Sequence, residues 1–319
     1  MSTTYNIPTV DLSDYTQGSP AQKAAFVAAL GEAFVNTGFV KVKNHGIPDS
    51  LIADFYKAVE AFFALPSDVK YSYEVPGLGG QRGYTSIGKE HAKHSTVGDL
   101  KEFWQIGQTV TDNDPIKAQY PDNVAVAERP EFLAIGNHLY SSFEVAGNHL
   151  MQAISVYLEL DEGHFDKDLH NGNSILRAIH YPPITSDPKS AIRAEQHEDI
   201  NLITLLVGAS ADGLQLLTKE NDWLAIVAGP GEIVVNVGDM LQRYTNNVLK
   251  STTHRVVNPP RELWHLPRLS IPFFLHPRSD MSLAVLPSCI TAENPQHYDD
   301  ITAGEYLHER LVEIGLIKK

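Results

Sequence analysis

His197, Asp199 and His254 are the residues of this sequence whose types and spacing suit the most demanding chemistry. His197-Glu198-Asp199 stands before the apolar run 201–207, and in an extended chain residues 197 and 199 project from one face while Glu198 points away. His254 opens a second short run, 254–257, 55 residues after Asp199, a separation over which a rolled sheet can return beside its first strand. Two imidazoles and a carboxylate make a three-donor site whose open positions suit non-haem Fe(II) that must hold an organic co-substrate and dioxygen together. Zinc with a bound water is the competing occupant. Without a metal, a His-x-Asp pair is ordinary solvated polarity.

Arg268-Leu269-Ser270 lies fourteen residues after His254, at the head of the apolar run Ile271-Pro-Phe-Phe274. Arg268 and Ser270 share a face by the same period of two, and a guanidinium directed into a barrel mouth needs an anionic partner. A small dicarboxylate would supply one, held by the arginine fork and the serine hydroxyl. An internal ion pair with Asp or Glu is the alternative.

The elements that must position these residues fall into two patterns. Over the first half, Ser19-Pro20 predicts a helix start, Phe26, Leu30 and Phe34 recur every fourth residue, and Gly38 marks its end. A strand follows over 39–43, and a second helix runs from Asp49 to Pro66 with Leu51, Phe55, Val59 and Phe62 on one face. The glycine-rich stretch 76–95 reads as a loop that could close over a substrate, and a long helix is expected over 131–160. From 174 onward the pattern changes to short β-rich runs, at 174–181, 201–207, 213–217, 223–226, 233–237, 254–257 and 268–275, separated by turn signals such as Pro182-Pro183 and Gly229-Pro230-Gly231. An amphipathic helix over 301–316 ends the chain. The expected architecture is mainly β with flanking helices: a jelly-roll core over 171–285, an N-terminal helical region over 1–170 with strands packing on that core, and a C-terminal segment over 286–319.

Composition limits what such a fold can serve. Among 319 residues, 25 Lys and Arg stand against 39 Asp and Glu, a net charge of −14 that disfavours nucleic acid and anionic lipid as partners. Cys289 is the single cysteine, which excludes an intrachain disulfide and a Cys-rich metal site and suits a reducing, cytoplasmic setting. Neither a leader pattern nor an apolar run of about 18 residues is evident.

Seven blocks in order carry a family resemblance: Gly38-Phe-Val-Lys-Val-Lys-Asn-His-Gly46, His197-Glu-Asp199, Leu202-Ile-Thr-Leu-Leu206, Gly213-Leu-Gln215, Val237-Gly-Asp239, His254-Arg-Val-Val257 and Arg268-Leu-Ser270. Together they resemble the isopenicillin N synthase-like branch of the iron(II)/2-oxoglutarate-dependent oxygenases, over about residues 5 to 280. The resemblance implies a distorted double-stranded β-helix with Fe(II) on His197, Asp199 and His254, and 2-oxoglutarate on Arg268, Ser270 and Tyr181. The asparagine that relatives carry two residues before this tyrosine is replaced by Ile179. It further implies a small-molecule substrate, contacted by Arg82, whose C–H bond is oxidised with O2 while 2-oxoglutarate becomes succinate and CO2; Tyr84, Lys101, Glu102 and Phe103 are further candidates for substrate contact. An anionic substrate follows if Arg82 makes that contact. Two rivals remain: an iron oxidase that uses no 2-oxoglutarate and binds its substrate's carboxylate on Arg268 and Ser270, and a zinc-binding or non-catalytic barrel.

Overall fold

The computed structural model describes residues 7–91, 98–111 and 113–317. Its elements in chain order are β1 (Thr9–Asp11), α1 (Leu12–Thr16), α2 (Pro20–Asn36), β2 (Phe39–Lys43), α3 (Asp49–Phe63), α4 (Ser67–Tyr71), β3 (Gly83–Thr85), β4 (Glu102–Gly107), α5 (Glu131–Tyr157), α6 (Asp166–Leu169), β5 (Ile175–Tyr181), β6 (Ala194–His197), β7 (Ile203–Val207), β8 (Leu214–Leu217), β9 (Trp223–Ala225), β10 (Glu232–Val237), α7 (Asp239–Tyr244), β11 (His254–Val256), β12 (Arg268–Leu275) and α8 (Ala303–Glu313). The strands form an eight-stranded sheet in the order β1-β2-β10-β7-β12-β5-β4-β3 and a four-stranded sheet in the order β6-β11-β8-β9. Strands from the first hundred or so residues therefore extend the same sheet that carries β5, β7, β10 and β12.

Local chemistry explains the helices. Ser19 and Gln22 exchange a capping box at the start of α2, and Pro20 occupies the first turn, where its missing N–H costs nothing. Gly38 ends the helix at φ +71°, where an added Cβ would lie 2.4 Å from the carbonyl oxygen of Lys250. Thr302 and Glu305 cap α8 in the same way. The long α5 lies against β12, β4, β5 and β7. At Gly136 it comes so close that a Cβ would stand 2.2 Å from Ile106 Cδ1.

Between these layers Phe62 is fully buried, with its ring 4.8 Å from Trp104, 5.2 Å from Phe63 and 5.5 Å from Phe132. Phe62→Ala should destabilise the protein by about 3–5 kcal/mol, the range for truncating a packed core aromatic. Urea unfolding measures it, and a loss below about 1 kcal/mol would mean that this aromatic cluster does not brace the sheet.

Three kinds of element escape the sequence pattern. Ala194-Glu-Gln-His197 lacks apolar alternation, yet it forms β6, one of the two edge strands of the smaller sheet. β3 lies inside the stretch read as a glycine loop, paired with β4, and the end of that stretch, 92–95, falls outside the described residues. The short β1 and α7 are too brief for periodicity to reveal. No described helix is long and apolar enough to cross a membrane.

Candidate active site

A cavity of about 960 Å³ opens between the two sheets. Its larger-sheet wall follows the strand period of two. Ile175, Arg177, Ile179 and Tyr181 of β5 face it, as do Arg268, Ser270, Pro272 and Phe274 of β12. Antiparallel register sets Arg268 opposite Tyr181 and Ser270 opposite Ile179.

Across the cavity, His197 and His254 are direct partners in the β6–β11 pair, with ring centroids 4.4 Å apart. Asp199 is not on a strand. It lies in the crossover that carries the chain from β6 in the smaller sheet to β7 in the larger, so its approach to His197 comes from that crossover rather than from a shared strand face. The donor atoms of His197, Asp199 and His254 all lie within 4.8 Å of one another.

Their neighbours set the donor atoms. His197 Nδ1 is 2.7 Å from the carbonyl of Glu195, and His254 Nδ1 is 3.0 Å from that of Thr252. A carbonyl only accepts, so both Nδ1 atoms carry hydrogen and both Nε2 lone pairs are free, at 3.9 and 3.7 Å from Asp199 Oδ1. Asp199 Oδ2 accepts from Thr204 Oγ1 at 2.6 Å and from Asn236 Nδ2 at 2.8 Å, which leaves Oδ1 for a ligand. Burial works against ionisation of Asp199, but the two histidines and these two donors hold its pKa below the usual carboxylate value. Burial and the neighbouring His254 push His197 down to about 4, so it is neutral and able to coordinate. One imidazole nitrogen from each histidine and one carboxylate oxygen, all within 4.8 Å of one another, fit a divalent transition metal with positions to spare.

Sequence reasoning misses Thr204 and Asn236, although each is a polar residue interrupting an apolar strand, and they are paired in register across β7 and β10. Thr204→Val keeps the shape and removes one donor to Asp199. It should weaken metal binding by about 10- to 100-fold, as outer partners of a metal ligand do. Titration with Fe(II) or Co(II) reads this, and an unchanged affinity would show that Thr204 does not orient the carboxylate.

Arg268 is 2% exposed. Its Nε donates to the carbonyl of Ala211 at 2.9 Å, its Nη1 has no partner, and its guanidinium carbon is 5.1 Å from the centre of the Tyr181 ring. Among the described residues no carboxylate forms an ion pair with it, so the internal salt bridge that the sequence leaves open is not what the fold builds. Arg193, a second buried guanidinium, stands 5.9 Å from the same ring, with one donor on the carbonyl of Leu266 and its Nε unpaired. This end of the cavity is cationic and short of acceptors.

Of the candidate substrate contacts, Lys101 lines the cavity, while Arg82, Tyr84, Glu102 and Phe103 lie elsewhere. Arg82 is 1% exposed but does not line the cavity; its guanidinium fills the space left by Gly107, where an added Cβ would be 1.9 Å from Cζ. Burial lowers its pKa to about 10. Tyr84 donates to Glu102, which also accepts from Lys70 and contacts His180, forming a buried network behind the wall. Phe103 also stands behind the lining, beneath the Arg177 guanidinium at 4.1 Å.

Comparison with known proteins places this geometry. Residues 7–128 match the family described as non-haem dioxygenase in morphine synthesis N-terminal, and residues 172–277 match the 2OG-Fe(II) oxygenase superfamily. The 2-oxoglutarate-dependent dioxygenase htyE of Aspergillus rugulosus is 31% identical over 94% of this chain and 96% of its own. A crystal structure from Caulobacter crescentus, assigned to the 2OG-Fe(II) oxygenase family, is 43% identical with a TM-score of 0.87, covering 98% of this chain and all of that one. A full-length Neurospora crassa protein, solved with alpha-KG and thymine, is 29% identical with a TM-score of 0.84 over 96% of both chains. The order of the seven sequence blocks, the jelly-roll sheets and these matches agree: the chain belongs to the 2OG-Fe(II) oxygenase superfamily and is a non-haem iron(II)- and 2-oxoglutarate-dependent dioxygenase.

Proposed function

We propose that His197, Asp199 and His254 hold the ferrous ion, that Arg268, Ser270 and Tyr181 take the distal carboxylate of 2-oxoglutarate, and that the enzyme oxidises a C–H bond of a small metabolite. The observation that carries this reading is the unpaired Nη1 of a buried arginine in the same cavity as a three-donor metal cluster. A guanidinium left that way is costly unless a ligand anion completes it. Arg268 would grip the distal carboxylate with its free donors, and Ser270 and Tyr181 would add hydroxyl donors. Ile179, opposite Ser270, adds none.

When bound, the iron supplies the redox chemistry: O2 is reduced as 2-oxoglutarate loses CO2 to become succinate and the substrate C–H bond is oxidised. The chain's own work is to fix both ligands and keep the reacting bond dry. Leu307, Leu311 and Ile314 on or just beyond α8 line the cavity's outer side and would exclude water. The neighbour solved with thymine supports a small-molecule substrate. The chain's acidic charge supports a substrate other than nucleic acid, and its lone, buried thiol suits a cytoplasmic enzyme. Residues 171–285 form the catalytic core in this reading, with 1–170 and 286–319 bracing it.

The test is O2 uptake and succinate release with Fe(II) and 2-oxoglutarate across a metabolite panel. Stoichiometric succinate supports the reading. Oxygen consumption without succinate would favour the oxidase, and exclusive zinc binding with no response to 2-oxoglutarate would favour the non-oxidative barrel.

A further inference from the structure

The cavity continues past the metal cluster along β5 and β12, away from Arg268, to a region bounded by Asn173, Ile175, Arg177, Phe274 and His276. Its charges are already matched. Lys101 Nζ lies 2.7 Å from both Glu90 and Asp99, and Arg177 Nη1 is 3.1 Å from both oxygens of Glu90. Burial alone would raise the Glu90 pKa, but Arg177 and Lys101 hold it down at about 2, so the pairs stay ionised.

Over the whole cavity, five Lys and Arg side chains face seven Asp and Glu. One of the seven, Asp239, is pushed up to about 7 by burial and the nearby Glu198. A divalent metal and a dicarboxylate co-substrate offset each other's charge, so loading leaves the excess of carboxylates over cations among the described lining residues in place. Arg82, outside the lining, does not reduce that excess.

Uncommitted polar groups nevertheless remain there. His276 is 7% exposed and lines the cavity, yet its Nδ1 has no hydrogen-bond partner. Burial pushes its imidazole down to about 4, so it is neutral. Arg177 uses Nε on Gln105 and Nη1 on Glu90, and no acceptor for its Nη2 is present among the described residues.

We infer that this region is the substrate subsite and that it selects an uncharged, hydrogen-bonding small molecule, held by His276 and Arg177 against Phe274, and rejects carboxylated analogues. A buried polar atom with no protein partner is satisfied by a ligand that hydrogen-bonds to it, while a carboxylate placed here would face the ionised Glu90, which already holds Lys101 and one arm of Arg177. The inference rests on the proposed function, because it assigns the other end of the cavity to 2-oxoglutarate.

The experiment is calorimetric binding to anaerobic enzyme carrying Fe(II) and 2-oxoglutarate, using uncharged molecules matched with carboxylated analogues, such as thymine with orotate and 2-pyrrolidinone with pyroglutamate. At least one uncharged member should bind about tenfold or more tighter than its partner, and Glu90→Gln should narrow that gap by about tenfold. His276→Leu should weaken the uncharged ligand about tenfold while 2-oxoglutarate binds as before, which separates loss of the subsite from loss of the fold. The inference is overturned if a carboxylated member binds as tightly as its uncharged partner, if no uncharged member binds at about 10 mM, or if His276→Leu leaves the preference intact. Failure of 2-oxoglutarate to bind the wild-type protein would overturn the proposed function instead.

Discussion

Arg268→Ala should weaken 2-oxoglutarate binding by about 2–5 kcal/mol, the range for truncating one side of a desolvated charge pair, while iron binding survives. The size follows from burial. Arg268 has one donor on the carbonyl of Ala211 and a free Nη1, with no carboxylate beside it among the described residues. In the alanine variant the co-substrate's distal carboxylate would enter the same enclosed space without its counter-ion. Arg193 is near the same Tyr181 ring but outside the cavity lining, so it cannot take over. Arg268→Lys keeps the charge but not the fork and should fall between the two. Equilibrium binding of 2-oxoglutarate to the Fe(II) protein measures both variants, and an unchanged dissociation constant in Arg268→Ala would remove the arginine from the co-substrate site.

His254→Ala and Asp199→Ala should each reduce turnover below detection and abolish metal-dependent stabilisation. Wild-type protein should gain thermal stability as Fe(II) or Co(II) is added, by the linkage that stabilises any folded state binding a ligand its unfolded chain does not. With one of three donors gone, the site keeps two. In His254→Ala, Asn236 and Thr204 stay committed to Asp199 Oδ2; in Asp199→Ala the amide and hydroxyl they leave behind are weaker ligands than the carboxylate lost, and in both variants Glu198 accepts from Thr253. Scanning calorimetry with and without metal reads the effect. A variant that still shifts its melting temperature like wild type would show that the missing side chain is not a ligand.

Much of this architecture is legible in the amino-acid sequence. The helices α2, α3, α5 and α8 announce themselves by apolar spacing and caps, and β5, β7, β10 and β12 by apolar runs between turn signals. Those strands form the buried layer of the larger sheet, where both periodicity and composition are strong. The smaller sheet is harder to read, because β6 is a polar edge strand. The same difficulty reaches His197 and Asp199: local spacing suggests a shared strand face, whereas the fold uses a crossover between sheets to bring the carboxylate to the histidines.

Direction, too, is beyond a local motif. Arg82 lies in a glycine-rich stretch from which a side chain could reach either way, and its actual place is set by Gly107, 25 residues on, which leaves room for a guanidinium. The groups around the distal half of the cavity are hidden from the sequence for a related reason. Glu90, Asp99, Lys101, Arg177 and His276 come from separate stretches of chain, and only the paired strands and the loop before β4 bring them to one wall.

The most direct test of the central claim is an anaerobic titration with Fe(II), in the presence and absence of 2-oxoglutarate, followed by visible absorption. The account predicts one iron per chain and a weak charge-transfer band that appears only with both ligands and is lost in His197→Ala. Iron that fails to bind, or a band that persists without His197, would contradict it.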